Sequence, residues 1–184
     1  MTNSILWRRL DEPGHEWARL TQDGDTWQLS GTTVFAHAGQ PCRLDYWVRC
    51  NAAWETQVAG VSGWVEDTPI DLTIIADAER RWLINGVEWP AVAGCIDLDL
   101  EFSGSTNLLP LRRLKLAIGQ TAPVRSAWLR FPSFALEPLE QTYQRTSETS
   151  YHYQAGNWFT TDLQVNPIGL VTNYPPLWQI EDGV

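Results

Sequence analysis

Three groups of residues in this chain have types and spacings suited to chemistry. Arg112, Arg113 and Lys115 stand among the leucines of the segment Ser105-Thr106-Asn107-Leu108-Leu109-Pro110-Leu111-Arg112-Arg113-Leu114-Lys115-Leu116. Leucines in this number call for burial, and buried cations call for a carboxylate, a carbonyl or an anionic ligand to meet them. Asp97, Asp99 and Glu101 alternate with Ile96, Leu98, Leu100 and Phe102, which puts three carboxylates on one face of a strand. By type they suit acid–base or metal chemistry. Neighbours on one strand face stand about 7 Å apart, however, which fits a charged, solvated face better than a metal cage. The third group is the 11 tryptophans, whose rings join a broad apolar face to one donor. Such rings fill cores and cover sheets, and they also stack on sugars.

Signatures of catalysis are missing. His15, His37 and His152 are scattered, and no HExxH, GxSxG, P-loop or GxGxxG pattern occurs. Ser103-Gly104-Ser105 reads as turn chemistry. A glycosidase needs two carboxylates that face each other across a cleft, and a single strand face does not supply them. The expectation is a protein with no catalytic residues, no metal and no cofactor.

A chain of 184 residues is most simply one domain, 1–184, with 43% hydrophobic and 19% charged residues. The formal charge of −9 argues against nucleic acid or an anionic membrane surface as the main partner. No apolar run approaches the roughly 18 residues of a membrane helix, so the protein is not expected to be membrane-embedded. The opening Met1-Thr2-Asn3-Ser4-Ile5-Leu6-Trp7-Arg8-Arg9 lacks the build of a signal peptide. Cys42, Cys50 and Cys95 are odd in number and lack CxxC spacing, which points to a reducing, cytoplasmic setting.

The elements that must position these residues read as strands and turns. Trp7, Trp17 and Trp27, then Trp54 and Trp64, recur at ten-residue steps, the length of one strand and one turn. Asp23-Gly24-Asp25 and Ala38-Gly39-Gln40-Pro41 break the early strands. Asn85-Gly86 between Trp82-Leu83-Ile84 and Val87-Glu88-Trp89 is a strong hairpin signal. Asn107 is placed to cap a short helix over about residues 107–113, with Pro110 in its first turn. Leu114, Leu116 and Ile118 then keep a period of two, as in a strand ending at Gly119. Further strands are expected over 125–131, 140–147, 150–154, 159–165 and 170–174. The result is a mainly β fold, an antiparallel meander with one short helix.

Several blocks then carry a resemblance. Cys-Ile-Asp-Leu-Asp-Leu at 95–100, Thr-Asn-Leu-Leu-Pro-Leu-Arg-Arg-Leu at 106–114 and Ala-Trp-Leu-Arg-Phe-Pro at 127–132 are followed by Pro-Leu-Glu-Gln-Thr-Tyr at 138–143. Gly-Leu-Val-Thr-Asn-Tyr-Pro at 169–175 and Leu177-Trp178 complete the series, with Trp7-Arg8-Arg9 and Gly31-Thr32 near the start. Together they resemble the putative glycolipid-binding family of bacterial proteins, over nearly the whole chain. The resemblance implies a many-stranded sheet spiralling as a β-roll around one helix, similar in architecture to bacterial lipoprotein carriers. It also implies binding of a glycolipid or another amphiphile.

A sheet wrapped on a helix leaves a trough suited to an acyl chain, and a polar headgroup needs forked donors and flat faces. Arg112, Arg113 and Arg130 offer donors, Asn107 donates and accepts, and Trp128, Tyr143, Tyr151 and Tyr153 offer faces with a polar handle. Trp82, beside Arg80 and Arg81, is placed to rim a mouth. Each has a structural alternative: Arg112 and Arg113 pairing with Glu101, Glu137 or carbonyls, Arg130 facing solvent, the tyrosines packing in the core, Asn107 serving only as a cap. Two other functions compete with amphiphile binding. A protein-interaction or structural module predicts a large exposed aromatic patch and no cavity. A sugar-active enzyme predicts facing carboxylates, one with a raised pKa.

Overall fold

The computed structural model describes residues 3–181, which form one fifteen-stranded sheet and one α-helix. β1 (Ser4–Arg9), β2 (Gly14–Asp23), β3 (Thr26–His37), β4 (Gln40–Cys50), β5 (Thr56–Val65), β6 (Thr68–Ala76), β7 (Trp82–Ile84) and β8 (Val87–Glu88) follow one another as a meander. After β9 (Leu98–Leu100) and the helix α1 (Leu108–Leu114) comes a second meander. It comprises β10 (Thr121–Leu129), β11 (Leu136–Arg145), β12 (Ser150–Ala155), β13 (Phe159–Val165), β14 (Val171–Tyr174) and β15 (Trp178–Ile180). β15 pairs with β1, Trp7 opposite Ile180 and Arg9 opposite Trp178, so the meanders join where the chain begins and ends. β8 and β9 are the two edges of an open sheet, and β9 runs parallel to β10. No described helix is long and apolar enough to cross a membrane.

Alternation builds the strands as the sequence predicts. Leu29, Gly31, Thr33 and Phe35 of β3 stand opposite Val48, Tyr46, Leu44 and Cys42 of β4, and all eight are buried. Gly31 is needed there for space: a β-carbon would lie 2.3 Å from the Tyr46 hydroxyl. The Asn85-Gly86 turn has φ of 49° and 81°, the left-handed pair that a two-residue hairpin requires. The ten-residue tryptophan steps mark successive strands but not one face. Trp7 and Trp54 are core, Trp27 stacks on Trp54 at 4.6 Å, and Trp17 and Trp64 are exposed.

The carboxylate face of the β9 segment is only partly wet. Asp97 is 1% exposed, Asp99 and Glu101 are half-buried, and Leu98 and Leu100 on the opposite face are buried. The reason is the roll of the sheet, which brings this edge against the inner face of the first meander. The Thr56 amide donates to the Ile96 carbonyl (3.2 Å), the Leu98 amide to Thr56 Oγ1 (3.2 Å) and the Trp82 indole to the Cys95 carbonyl (3.0 Å). Edge-to-face ring pairs Tyr46–Phe102 and Phe35–Phe131 continue the contact. The free cysteines Cys42, Cys50 and Cys95 are all buried in this core.

α1 is the hub of the roll, with Leu108, Leu109, Pro110 and Leu111 buried. Asn107 does not cap it. A 3-10 turn over Ser105–Asn107 runs straight into the helix, so the Leu108 amide already donates to the carbonyls of Ser105 and Thr106, and the Asn107 side chain makes no cap bond. The strand expected over 114–118 is absent. Lys115 ends the helix in the left-handed region (φ 48°), Leu116 tucks into the core, and Ile118 points outward. The later strands fall within a few residues of their predicted spans.

Candidate functional site

A cleft of about 530 Å³ opens between β9, β10 and β12 on one side and the β1 and β14–β15 ends on the other. Strand register places its central pair. Trp128 of β10 stands opposite Asp99 of β9, on the same face of the sheet. The Trp128 ring stacks on Trp158 from the β12–β13 turn, 6.2 Å apart at 22°, and the Trp158 face is open to solvent. Tyr153, Ser103 and Asn107 contribute polar groups to the same lining.

Four carboxylates line the cleft, against Arg9 and His37. Three of the four are engaged. Asp11 accepts from Arg9 Nε and Nη2 (3.1 and 2.8 Å), and Glu12 lies 3.4 Å from both Arg9 Nη2 and His37 Nδ1. Glu101 accepts from Arg130 Nε (3.0 Å) and the Phe131 amide (2.7 Å). Asp99 has no cationic partner among the described residues. It accepts from Gln141 Nε2 (2.8 Å), whose amide also lies 2.8 Å from the Tyr153 hydroxyl. Burial raises the Asp99 carboxyl to about 6, the Gln141 bond opposes the rise, and Glu101 and Asp97 add to it.

Arg9 is the other unusual group. Its side chain is 8% exposed, with the guanidinium 4.5 Å from the Phe35 ring and 4.8 Å from Trp178. Its Nη1 is buried with no hydrogen-bond partner among the described residues. A guanidinium sandwiched between rings is rigid, and a spare buried donor costs stability unless something accepts from it.

Behind the cleft, Ser103 leads to a second, fully enclosed polar cluster. Glu16 is 0% exposed and accepts from the hydroxyls of Tyr46 and Ser103 and from the Gly104 amide (3.1 Å). Ser105 Oγ lies 2.7 Å from Tyr46 Oη and from Ser103 Oγ. Burial pushes the Glu16 carboxyl up to about 7, against the opposing pull of these bonds and of Arg9.

The residues singled out in the sequence scatter across this geometry. Trp128, Tyr153 and Asn107 line the cleft. Arg130 stands one step back, its guanidinium 4.0 Å from the Trp128 ring and paired with Glu101 and Glu137. Tyr143 is buried and donates to Asn107 Oδ1 (2.9 Å). Arg113 forms a forked ion pair with Asp97 (2.6 Å), not with Glu101 or Glu137, and so ties the hub to β9. Arg112 and Tyr151 lie away from the cleft, at a different cavity. Trp82 rims no mouth: it is 0% exposed, and its indole is spent on Cys95.

Arg9, Glu16, Gln141 and Trp158 were not foreseen. Glu16 carried a legible signal, because Glu16, Ala18 and Leu20 share the inner face of β2. Gln141 likewise shares a face with Leu139 and Tyr143 on β11. Arg9 and Trp158 carried none, since their neighbours come from distant strands. No group of three or more His, Cys, Asp or Glu side chains among the described residues is placed to hold a metal ion.

Comparison with known proteins agrees with this architecture. The chain is similar to a DUF1089 family protein from Pseudomonas aeruginosa of known crystal structure. The two share 32% sequence identity and a TM-score of 0.77, over 89% of this chain and 91% of that one. No curated protein matches the chain. The sequence profile described as putative glycolipid-binding matches residues 4–180, which include every strand and the helix; the chain belongs to the putative glycolipid-binding family.

Proposed function

We propose that the cleft beside Asp99 and Trp128 binds the sugar headgroup of an amphiphile, and that it does so without catalysis. One observation carries the reading: a carboxylate with no cationic partner sits in register with a stacked tryptophan pair inside an open cleft. A sugar ring offers hydroxyl donors at its rim and C–H groups on its faces. Asp99 and Tyr153, both bonded to the buried Gln141 amide, match the rim, and the Trp128 and Trp158 rings match the faces. The polar part of the lining suits the headgroup, and the acyl portion is left to the apolar part and the exposed ring of Trp158. The family name supports the same ligand class. A cleft of this size counts against a purely structural module.

The test is titration with alkyl glycosides and short-chain glycosyl diacylglycerols below their micelle concentrations, following tryptophan fluorescence and heat. Trp128→Ala should weaken binding about tenfold, the worth of one lost stacking contact. Asp99→Asn should weaken hydroxyl-rich headgroups more than others. If no member of the panel binds, or if both variants bind as the parent does, the assignment is wrong.

A second reading has its own observation. Asp99 has a raised pKa, and Asp11 and Glu12 line the same cleft from a different segment, the pattern expected of a glycoside-cleaving pair. Asp11 and Glu12 are both held by Arg9 or His37, which favours binding over turnover. Release of chromophore from nitrophenyl glycosides, lost in Asp99→Asn, would decide for the enzyme.

A further inference from the structure

A second cavity, of about 290 Å³, lies at the far end of α1, between the helix terminus and the β11–β12 and β13–β14 turns. It takes up Arg112, Lys115 and Arg145, with Glu148 as the one carboxylate in its lining. In a chain of formal charge −9, three cations converging on one cavity call for an explanation.

None of the three is neutralised by a carboxylate within the described residues. Arg145 donates to the main-chain carbonyls of Ser147, Leu116 and Glu148 (3.1, 2.9 and 2.9 Å), which fixes its position and leaves its charge uncompensated. Lys115 is exposed at the left-handed residue that ends the helix, with no ion pair. Arg112 makes no hydrogen bond and no ion pair among the described residues. Its guanidinium is held 4.9 Å from the Trp54 ring and 5.8 Å from Trp27, the two indoles that stack on each other. Gly169 closes over its stem, where a β-carbon would lie 3.5 Å from Arg112 Cδ. A guanidinium fixed through its face keeps its N–H edge for a ligand, and that edge matches the oxygens of a phosphate two at a time. The adjacent arginines therefore divide the work: Arg113 is spent on Asp97, and Arg112 is free.

Two effects oppose an anion here, and neither prevails. The C-terminal end of a helix repels negative charge, but α1 has only seven residues and its last turn carries Arg112 and Arg113. The excess of carboxylates elsewhere is screened beyond about 10 Å at 0.1 M salt, whereas the three cations act at contact range.

We propose that this cavity is a binding site for a phosphate group, with Arg112 as its forked donor and Lys115 and Arg145 as supporting cations. It is a site separate from the cleft beside Asp99 and does not depend on what that cleft binds. A free phosphate ester and a phospholipid headgroup share this chemistry, and their sources are separable by probe.

The experiment is calorimetric titration of the full chain with inorganic phosphate and, separately, with dihexanoyl phosphatidylglycerol below its micelle concentration, in about 50 mM salt. Binding of inorganic phosphate marks a site for soluble phosphate. Binding of the phospholipid alone marks a lipid headgroup site. Lys115→Gln, an exposed and unpaired position, should weaken either probe about threefold without changing Tm. Arg112→Met should weaken it about tenfold, and Arg112→Lys, which keeps the charge and loses the fork, should fall between. Trp128→Ala should leave phosphate binding unchanged, so failure here and failure at the sugar cleft are told apart. The proposal is overturned if neither probe binds the folded parent, or if Lys115→Gln and Arg112→Met bind as tightly as the parent.

Discussion

The buried carboxyl of Glu16 should make the protein lose stability as the pH rises through neutrality. Glu16 sits at an inner position of β2 with no exposure, and burial lifts its carboxyl from the ordinary 4.5 to about 7. The folded chain therefore keeps a proton that the unfolded chain releases between these values. Folding takes up that proton in this window, so the contribution is full below pH 4.5 and is lost as the pH rises through 7. At about 1.4 kcal/mol per pH unit, the whole rise corresponds to about 3 kcal/mol, of which about 2.5 kcal/mol falls between pH 5 and pH 8. The assay is urea unfolding followed by tryptophan fluorescence at several pH values in that range. Asp99, with its carboxyl near 6, adds a slope of the same sign, so the parent is compared with Glu16→Gln, which removes one titrating group and keeps Asp99. The Gln amide oxygen can still accept from the Gly104 amide, so the variant should fold with a cost of about 1 kcal/mol. The parent, about 1 kcal/mol more stable than the variant at pH 5, should become about 1.5 kcal/mol less stable at pH 8, so the two stability curves cross. Parallel curves would refute the reasoning, because they would mean that Glu16 is ionised throughout.

Three further outcomes follow from the geometry. Asp97→Leu alone should cost about 3–5 kcal/mol in urea unfolding by stranding the Arg113 guanidinium, and adding Arg113→Met should recover most of it; a double variant no better than the sum of the singles would contradict this. Sugar binding in the cleft should strengthen as the pH rises through about 6, where Asp99 loses its proton, and the dependence should vanish in Asp99→Asn, as isothermal titration at pH 5 and pH 7 would show. Gly169→Ala should destabilise by about 1–3 kcal/mol in thermal unfolding, since φ is 92° and the added carbon would lie 3.0 Å from Leu108 Cδ1.

Local rules reached the meander, the Asn85-Gly86 turn and the helix, because these depend on neighbours in sequence. They failed where coverage came from far away. The alternation of Asp97, Asp99 and Glu101 correctly separates two faces, but it does not say that the rolled sheet buries Asp97 and leaves Asp99 and Glu101 half-covered at a cleft. The period-two run Leu114, Leu116 and Ile118 looked like a strand, yet only Leu116 is buried, and Lys115 takes a conformation that no strand contains. Trp82 beside two arginines looked like a rim, while Arg80 is held half-buried by Glu55 and the Thr56 carbonyl, Arg81 turns outward to Asp77, and the ring turns inward. A small part of the cleft was legible: Trp128, Tyr153 and Asn107 announce themselves by type. Arg9 gains its role only when β15 brings Trp178 beside it, across most of the chain's length.

That junction bears on how the molecule assembles. Apart from it, every pairing in the sheet joins strands next to each other in sequence. Cutting the chain between β8 and β9 and linking its ends would leave an entirely sequential order, β9 through β15 and then β1 through β8, with each strand paired to its successor. The natural order instead puts the first strand and the last at the middle of the sheet. On the ribosome, β1 therefore keeps one edge unpaired until residues 178–180 emerge, and everything between is made before that seam can close. Arg9 and Trp178 face each other across the same seam, so this wall of the cleft is the part of the protein that cannot exist before synthesis of the sheet is complete.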